Sequence, residues 1–154
     1  MNDQLYFDQL NIGDHWRSRG RTVTEAEVMA FAGLTGDYDP LHVDAEFARQ
    51  SPYGERIAHG LLGISFLAGL NSNCPAVATV SFIAIREWQF LKPIFFGDTV
   101  YGYAEILDLK PNINRRGQVI WRRTLFNQRD EATQSGIVDT LVALSPQSSP
   151  SPNS

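Results

Sequence analysis

Two carboxylates and an imidazole lie within six positions of the sequence, in the stretch TGDYDPLHVDAEFA at residues 35–48. Asp37 and His42 are candidates for acid–base chemistry, because a carboxylate near a histidine stabilises the charged imidazole and suits the pair to proton transfer near neutral pH. Pro40 fixes one backbone angle and keeps Asp39 extended, so a turn could direct Asp37 and His42 toward one point. The competing interpretation is structural: both aspartates form Asx turns, and His42 caps the helix that follows.

A second candidate is the sequence AHGLLG at residues 58–63, which opens the most apolar stretch of the chain. Gly60 would let another group approach the backbone closely. The first amides of a helix are unpaired and partly positive, so they suit a carbonyl oxygen that becomes negative during a reaction. The competing interpretation is that His59 caps its own helix and Gly60 merely relieves crowding.

A metal centre is not expected from the spacing of the potential ligands. His15, Asp37, His42 and His59 could be considered, but no pair has an i, i+4 or other zinc-like separation. The single cysteine, Cys74, allows neither a multi-cysteine metal site nor an internal disulfide framework. No GxGxxG, P-loop or GxSxG motif occurs. We therefore expect no metal and no cofactor.

The bulk composition indicates a single globular domain without a nucleic-acid or membrane partner. The chain has 154 residues, 43% of them apolar, and a net charge of −4. That charge argues against nucleic-acid binding by bulk electrostatics. Eleven arginines against two lysines leave room for a local anion site. There is no secretory signal and no apolar run long enough to cross a bilayer, so we expect a cytoplasmic protein.

Three helices are predicted ahead of the strands. The first begins with a capping box formed by Thr24 and Glu27, and it ends before Gly36, so Asp37 should lie just past its end. A short helix at 44–51 should have Asp44 as its cap. The run at 57–73 is apolar nearly all round, which predicts a helix covered on most sides.

From residue 78 onward the sequence is typical of strands, with runs rich in β-branched and aromatic residues at 80–96, 98–109, 118–128 and 136–144. Gly97-Asp98 favours a hairpin between the first two runs, and short turns join the others, which predicts neighbouring antiparallel strands. One apolar helix and one such sheet satisfy each other if the sheet curls around the helix. We predict one α+β domain over 1–144 and a flexible Ser/Pro-rich tail at 145–154.

Three segments together resemble the MaoC-like dehydratases, the family of (R)-specific enoyl-CoA hydratases with the hot-dog fold. They are FAGLTGDYDPLHVDAEFA at 31–48, RIAHGLLGISFLAGL at 56–70 and FLKPIFFGDTVYGYAEI at 90–106. The resemblance covers most of residues 10–144. It implies a curved antiparallel sheet wrapped around a long central helix, and a hydro-lyase that acts on acyl thioesters.

The resemblance also implies roles for individual residues. Asp37 and His42 would form a catalytic dyad that activates one water for addition to C3 of a trans-2-enoyl thioester, with a proton reaching C2 on the same face. The amide of Gly60 would receive the thioester oxygen. His59, Ser65 and Tyr53 are further candidates for substrate binding. The implied partners are a CoA or acyl-carrier thioester and a second copy of the chain in a homodimer.

Two positions depart from the family pattern and keep other functions open. Asp39 stands where the family often has Asn, and Ala68 stands where some hydratases have serine, with Ser65 one turn earlier. The alternatives are a hot-dog thioesterase, which would release free thiol, and a non-catalytic acyl-CoA binding module. The short chain favours short or medium acyl groups. A branched or dicarboxylic acyl group is a further option, because an arginine could pair with a second carboxylate.

Overall fold

In the computed structural model, which describes residues 4–112 and 114–146, one antiparallel sheet packs against a set of short helices. The strands are β1 (His15–Arg17), β2 (Arg21–Thr22), β3 (Thr79–Phe90), β4 (Thr99–Asn112), β5 (Arg116–Phe126) and β6 (Ala132–Ala143). The helices are α1 (Glu25–Thr35), α2 (Pro40–Val43), α3 (Ala45–Arg49) and α4 (Gly60–Leu70), preceded by a 3-10 turn at Phe7–Gln9.

Helix α1 begins and ends as its sequence predicts. The hydroxyl of Thr24 accepts a hydrogen bond from the amide of Glu27 at 3.3 Å, and the carboxylate of Glu27 accepts from the amide of Thr24 at 3.0 Å. Gly36 then ends the helix with a φ of +78°, a left-handed conformation that costs glycine little. Asp37 therefore lies immediately after the end of the helix.

The segment from Asp39 to Arg49 is more regular than predicted. Asp39 caps the one-turn helix α2 by accepting a hydrogen bond from the amide of Leu41 at 2.9 Å, and Pro40 occupies the first helical position. Asp44 caps α3 as predicted, accepting from the amide of Phe47 at 3.0 Å. The second carboxylate that departs from the family pattern thus has a structural use as a helix cap.

Helix α4 is shorter than the predicted run of 57–73, and it packs against β4 and β5. It buries one face, formed by Leu62, Gly63, Phe66 and Leu67, within a core that also includes Ile94, Val100 and Leu125. Leu61, Ser65 and Ala68 stay exposed in the single chain. The helix is therefore covered on one side, whereas its composition predicted cover on most sides.

The strand order is β1-β4-β5-β6-β3, with β2 also paired to β4. The predicted hairpin between β3 and β4 is therefore wrong, because β3 pairs with β6 at the far side of the sheet. The Gly97-Asp98 turn does form, with Gly97 at a φ of +89°. The segment that precedes the turn crosses toward α4, where the carbonyl of Ile94 accepts from the amide of Ala58 at 2.8 Å. Gly97 and Asp98 predict the turn correctly, but a turn does not fix which strand pairs with β3.

The first residue after the predicted domain boundary is hydrogen-bonded. The amide of Ser145 donates to the carboxylate of Asp8 at 2.8 Å, and its hydroxyl donates to the same group. The rest of the predicted tail, from 147 to 154, lies outside the described residues. None of the described helices has the length and apolar character needed to span a bilayer.

Gly63 should tolerate alanine poorly, because a Cβ there would lie 2.1 Å from Nε2 of the buried Gln134. We expect Gly63→Ala to lower the free energy of unfolding by about 1–3 kcal/mol through overpacking. Gly69→Ala on the same helix is the matched control, because a Cβ at that position meets nothing within 4 Å. It should raise stability by roughly 0.5–1 kcal/mol. Urea unfolding of both variants checks this, and equal stability of the two would contradict the packing described.

Candidate active site

Asp37 lies exposed in the loop that leaves α1. Its amide donates to the hydroxyl of Thr35 at 3.2 Å, and its carboxylate accepts from the amide of Asp39 at 3.3 Å. Together with the Asp39 cap, this forms two successive Asx turns, so the structural interpretation of the aspartates is confirmed. A carboxylate has two oxygens and several lone pairs, so one weak backbone hydrogen bond leaves Asp37 with free acceptor capacity.

His42 is half-buried on α2, and its ring does not cap a helix. Nδ1 of His42 lies 2.7 Å from the carbonyl oxygen of Ile57, in the segment that leads into α4. A carbonyl can only accept, so Nδ1 must carry the proton in this contact. In the neutral ring, Nε2 is then an acceptor. The contact with Ile57 fixes this tautomer, and the sequence alone does not predict it.

His59 is almost completely buried, at 2% exposure, and makes no side-chain cap to α4. Its Nε2 lies 2.9 Å from the carbonyl oxygen of Asp37, and its ring centroid is 3.9 Å from that of His42. Nδ1 of His59 is buried with no hydrogen-bond partner among the described residues. His59 thus supports both members of the Asp37–His42 pair, one through the backbone and the other through ring contact.

These three side chains form one cluster. A carboxylate oxygen of Asp37 and one ring nitrogen from each of His42 and His59 lie within 4.8 Å of one another. Such a separation leaves room for one bridging water, which needs two to four polar partners. Two imidazoles and a carboxylate are also a ligand set that divalent transition metals accept. The structure therefore brings together residues that sequence spacing alone did not group as ligands.

A cavity of about 350 Å³ lies beside this cluster and reaches the N-terminus of α4. Its lining includes His42, Tyr53 and Gly60, together with Phe90 of β3. A Cβ at Gly60 would lie 2.8 Å from the Phe90 ring, so a side chain there would push against the cavity wall. The first amides of α4 have no acceptor within the helix, which makes this end of the cavity suited to a developing anion.

The remaining predicted residues fall in different places. Tyr53 lines the cavity, as noted, and is 41% exposed. Ser65 does not line it, and its hydroxyl donates to the carbonyl of Leu61 at 2.9 Å on the exposed face of α4. His15 lies on β1, where it stacks on Tyr103, and it is not part of the cluster.

Two contributors to this site were not found from the sequence. Nε2 of Gln134, on β6, donates to the carbonyl of Gly60 at 2.9 Å and so ties the start of α4 to the sheet. Lys92 lines the cavity and donates to Glu131 at 2.6 Å. Hydrogen bonds from Asn127, Lys92 and Arg129 lower the pKa of Glu131 to about 2, so this anchor remains ionised at neutral pH. Gln134 lies near the start of β6 and Lys92 lies just after β3, so the neighbours of both depend on the sheet order.

Comparison with known proteins places this geometry in a family. Residues 9–125 match the family model described as the MaoC like domain. The 3-hydroxybutyryl-CoA dehydratase of Methylorubrum extorquens is 32% identical over 112 residues, which is 72% of this chain and 69% of that protein. The (R)-specific enoyl-CoA hydratase of Rhodospirillum rubrum is 30% identical over 107 residues, covering 69% of this chain and 72% of the relative.

Two further matches differ in how much of the relative they cover. The MaoC protein of Klebsiella aerogenes is 35% identical over 95 residues, but these span 62% of this chain and only 28% of that protein. A Mycobacterium tuberculosis protein described as a double hot-dog fold superposes with a TM-score of 0.82 and 21% identity. The match covers 96% of this chain and 46% of that structure, so the present fold corresponds to one hot-dog unit.

Proposed function

This chain belongs to the family of MaoC-like domains, and on that premise we propose that it is a hydro-lyase acting on acyl thioesters. The reaction is the hydration of a trans-2-enoyl-CoA or enoyl carrier thioester to the (R)-3-hydroxyacyl thioester, or its reverse. The observation that carries the proposal is that His42 and Gly60, at the N-terminus of α4, line one cavity, and that a carboxylate oxygen of Asp37 lies within 4.8 Å of a ring nitrogen of His42. The names of the relatives from M. extorquens and R. rubrum support the reaction class.

The cluster accounts for activation of a water molecule. His42, with Nδ1 donating to Ile57, presents Nε2 as the acceptor for one proton of that water. Asp37 accepts a hydrogen bond from the second O–H of the water, which stays intact, and so orients the oxygen toward C3 of the substrate. As the C3–O bond forms, the π electrons of the double bond move toward the thioester carbonyl, and the dyad returns a proton to C2. The net change is addition of one water across the double bond.

The N-terminus of α4 accounts for stabilisation of the enolate. The thioester oxygen gains negative charge as the water adds, and the amide of Gly60 donates to it from a helix end with partial positive charge. Gln134 holds the carbonyl of Gly60, so the backbone that carries this amide is fixed before substrate binds. Such fixed donors avoid a reorganisation cost during the reaction.

Assembly and location belong to the same proposal. β3 lies at the edge of the sheet and exposes several large apolar side chains, namely Val80, Phe82, Ile83, Ile85 and Phe90. An apolar edge strand of this kind favours pairing with another chain. We propose a cytoplasmic homodimer in which a second copy covers this edge and the exposed face of α4.

Crotonyl-CoA tests the reaction class directly. We expect purified protein to bleach the absorbance of the enoyl thioester while a thiol reagent in a parallel sample detects no free CoA. Release of thiol would replace the hydratase by the thioesterase. Tight binding of crotonyl-CoA with neither signal would indicate a binding module.

Substitution of Asp37 and His42, singly and together, tests whether the two side chains act on the same water molecule. Asp37→Asn and His42→Ala should each lower kcat by roughly a thousandfold or more, and the double variant should be little worse than either, because both groups serve one water. Asp39→Asn is the matched control, since asparagine also caps helices well and should leave kcat within a factor of about two. Additive losses in the double variant, or an equal loss in the control, would remove the pair from the mechanism.

Removal of metal ions by a chelator tests whether the cluster of Asp37, His42 and His59 holds a water molecule or a metal ion. We expect hydration of crotonyl-CoA to persist after dialysis against EDTA, because the mechanism needs no ion. Loss of activity that Zn²⁺ or Mn²⁺ restores would instead assign Asp37, His42 and His59 as metal ligands.

A further inference from the structure

The cluster of Asp37, His42 and His59 contains a buried nitrogen that the proposed reaction does not use. Nδ1 of His59 is buried and has no hydrogen-bond partner within the described part of the chain, while Nε2 of the same ring lies 2.9 Å from the carbonyl oxygen of Asp37. A carbonyl only accepts, so Nε2 carries the proton and Nδ1 of the neutral ring keeps a free lone pair. A buried acceptor without a partner is unfavourable, which makes this nitrogen a candidate for a ligand.

Both imidazoles of the cluster make the hydrogen bond that metal-binding histidines normally make. A histidine that binds a metal through one nitrogen usually donates its other N–H to a carboxylate, a backbone carbonyl or water. Nδ1 of His42 donates to the carbonyl of Ile57 at 2.7 Å, and Nε2 of His59 donates to that of Asp37 at 2.9 Å. Each ring is thus fixed in one tautomer, and each keeps a second nitrogen with a lone pair.

The spacing of the three side chains suits one small ion. A carboxylate oxygen of Asp37 and one ring nitrogen of each histidine lie within 4.8 Å of one another. Donor atoms around a tetrahedral Zn²⁺ are about 3.3 Å apart, because each bond is about 2 Å long. Asp37 can close the difference, since its exposed side chain is held by one hydrogen bond of 3.3 Å from the amide of Asp39. Within residues 4–112 and 114–146, no other three such side chains form a group of this kind.

We propose that Asp37, His42 and His59 bind one divalent transition-metal ion, for which Zn²⁺ is the best match, and that this ion inhibits the hydratase. The inhibition rests on the proposed function, because it takes Asp37 and His42 to activate the reacting water. Two nitrogen ligands and one carboxylate favour Zn²⁺ over Mg²⁺ and Ca²⁺, which prefer oxygen ligands. The ion exchanges three of its own waters for these three groups, and no redox step is involved.

A bound ion inhibits because it occupies the groups that the reaction needs. In the proposed reaction, Nε2 of His42 accepts a proton from water, and the dyad later returns a proton to C2. The ion takes that lone pair of His42 and compensates the charge of Asp37. A water bound to the ion is polarised, but no free base remains to carry a proton to C2. The working enzyme therefore holds a water at this cluster, and Zn²⁺ competes with it.

Zinc binding is measured first, because it needs no turnover. Calorimetric titration of the metal-free protein with ZnCl₂ should show one ion per chain. Asp37→Asn removes a charged ligand at an exposed position and should weaken binding at least about tenfold, since even the outer partners of a metal ligand contribute that much to affinity. Asp39→Asn is the matched control two residues away, and it should keep the wild-type affinity because asparagine also caps α2.

A pair of histidine variants separates this site from adventitious binding of zinc to a surface imidazole. His59→Gln should weaken binding at least about tenfold. His15→Gln, on β1 and outside the cluster, should leave it unchanged. If the buried His59 variant does not fold, His42→Gln on the half-buried α2 gives the same comparison. No binding at micromolar Zn²⁺, equal affinity of the wild type and Asp37→Asn, or loss of binding in His15→Gln would overturn the assignment.

Hydration of crotonyl-CoA then tests the inhibition. Zn²⁺ at a concentration that saturates the site should lower the rate at least about tenfold, because acid–base groups typically contribute about a hundredfold or more. EDTA should restore the rate, and Mg²⁺ at the same concentration should leave it unchanged. An undiminished or faster rate of the zinc-saturated protein would overturn the inhibition. If crotonyl-CoA is not hydrated at all but the variants alter zinc binding as expected, the hydratase proposal fails and the metal site stands.

Discussion

Two imidazole-to-carbonyl hydrogen bonds hold the candidate active site together. His42 donates to Ile57, and His59 donates to Asp37, so the loop after α1 and the segment that enters α4 are tied in both directions. Each hydrogen bond contributes about 1 kcal/mol to stability, but its larger effect is geometric. Without these two contacts, the exposed Asp37 would have no fixed relation to the first amides of α4. The third histidine of the chain, His15, takes no part in this arrangement.

The same contacts explain why a short, exposed carboxylate can belong to a defined site. The backbone of Asp37 is fixed by Thr35 on one side and by His59 on the other, so its side chain has a defined starting point. His59 is buried where it reaches the Asp37 carbonyl, and within the described part of the chain its Nδ1 finds no hydrogen-bond partner there. Gln134 fixes the peptide at Gly60 in a similar way, by donating a hydrogen bond to its carbonyl. Positioning by buried neighbours is what allows a loop to carry chemistry.

Local patterns predicted the elements that depend on neighbours in sequence. The capping box at Thr24, the cap at Asp44 and the position of Asp37 just after α1 all follow from side-chain chemistry within a few residues. The sequence predicted a β3–β4 hairpin, whereas β3 pairs with β6. Gly97 indicates that the chain turns there, but it does not determine which strand pairs with β3. Gln134 was missed for the same reason, because it contacts α4 from a strand whose facing side is set by the sheet order. The burial of Arg123 on β5 depends on that order as well. Alternation along β5 distinguishes Arg122 from Arg123 only once one face is known to be buried.

In the proposed reaction, one water held by Asp37 and His42 beside the amide of Gly60 supplies both the hydroxyl group and the hydrogen that add to the double bond. The most direct measurement is the stereochemistry of hydration of crotonyl-CoA in D₂O, read by NMR of the 3-hydroxybutyryl product. We expect the (R)-alcohol of the proposed reaction, with deuterium at C2 on the same face as the new hydroxyl, since a single cluster serves both carbons from one side. Deuterium on the face opposite the new hydroxyl would mean that separate groups deliver the two atoms, and would contradict the shared water. An (S)-alcohol would instead mean that water adds to the other face of C3, and would contradict the proposed (R)-specific reaction.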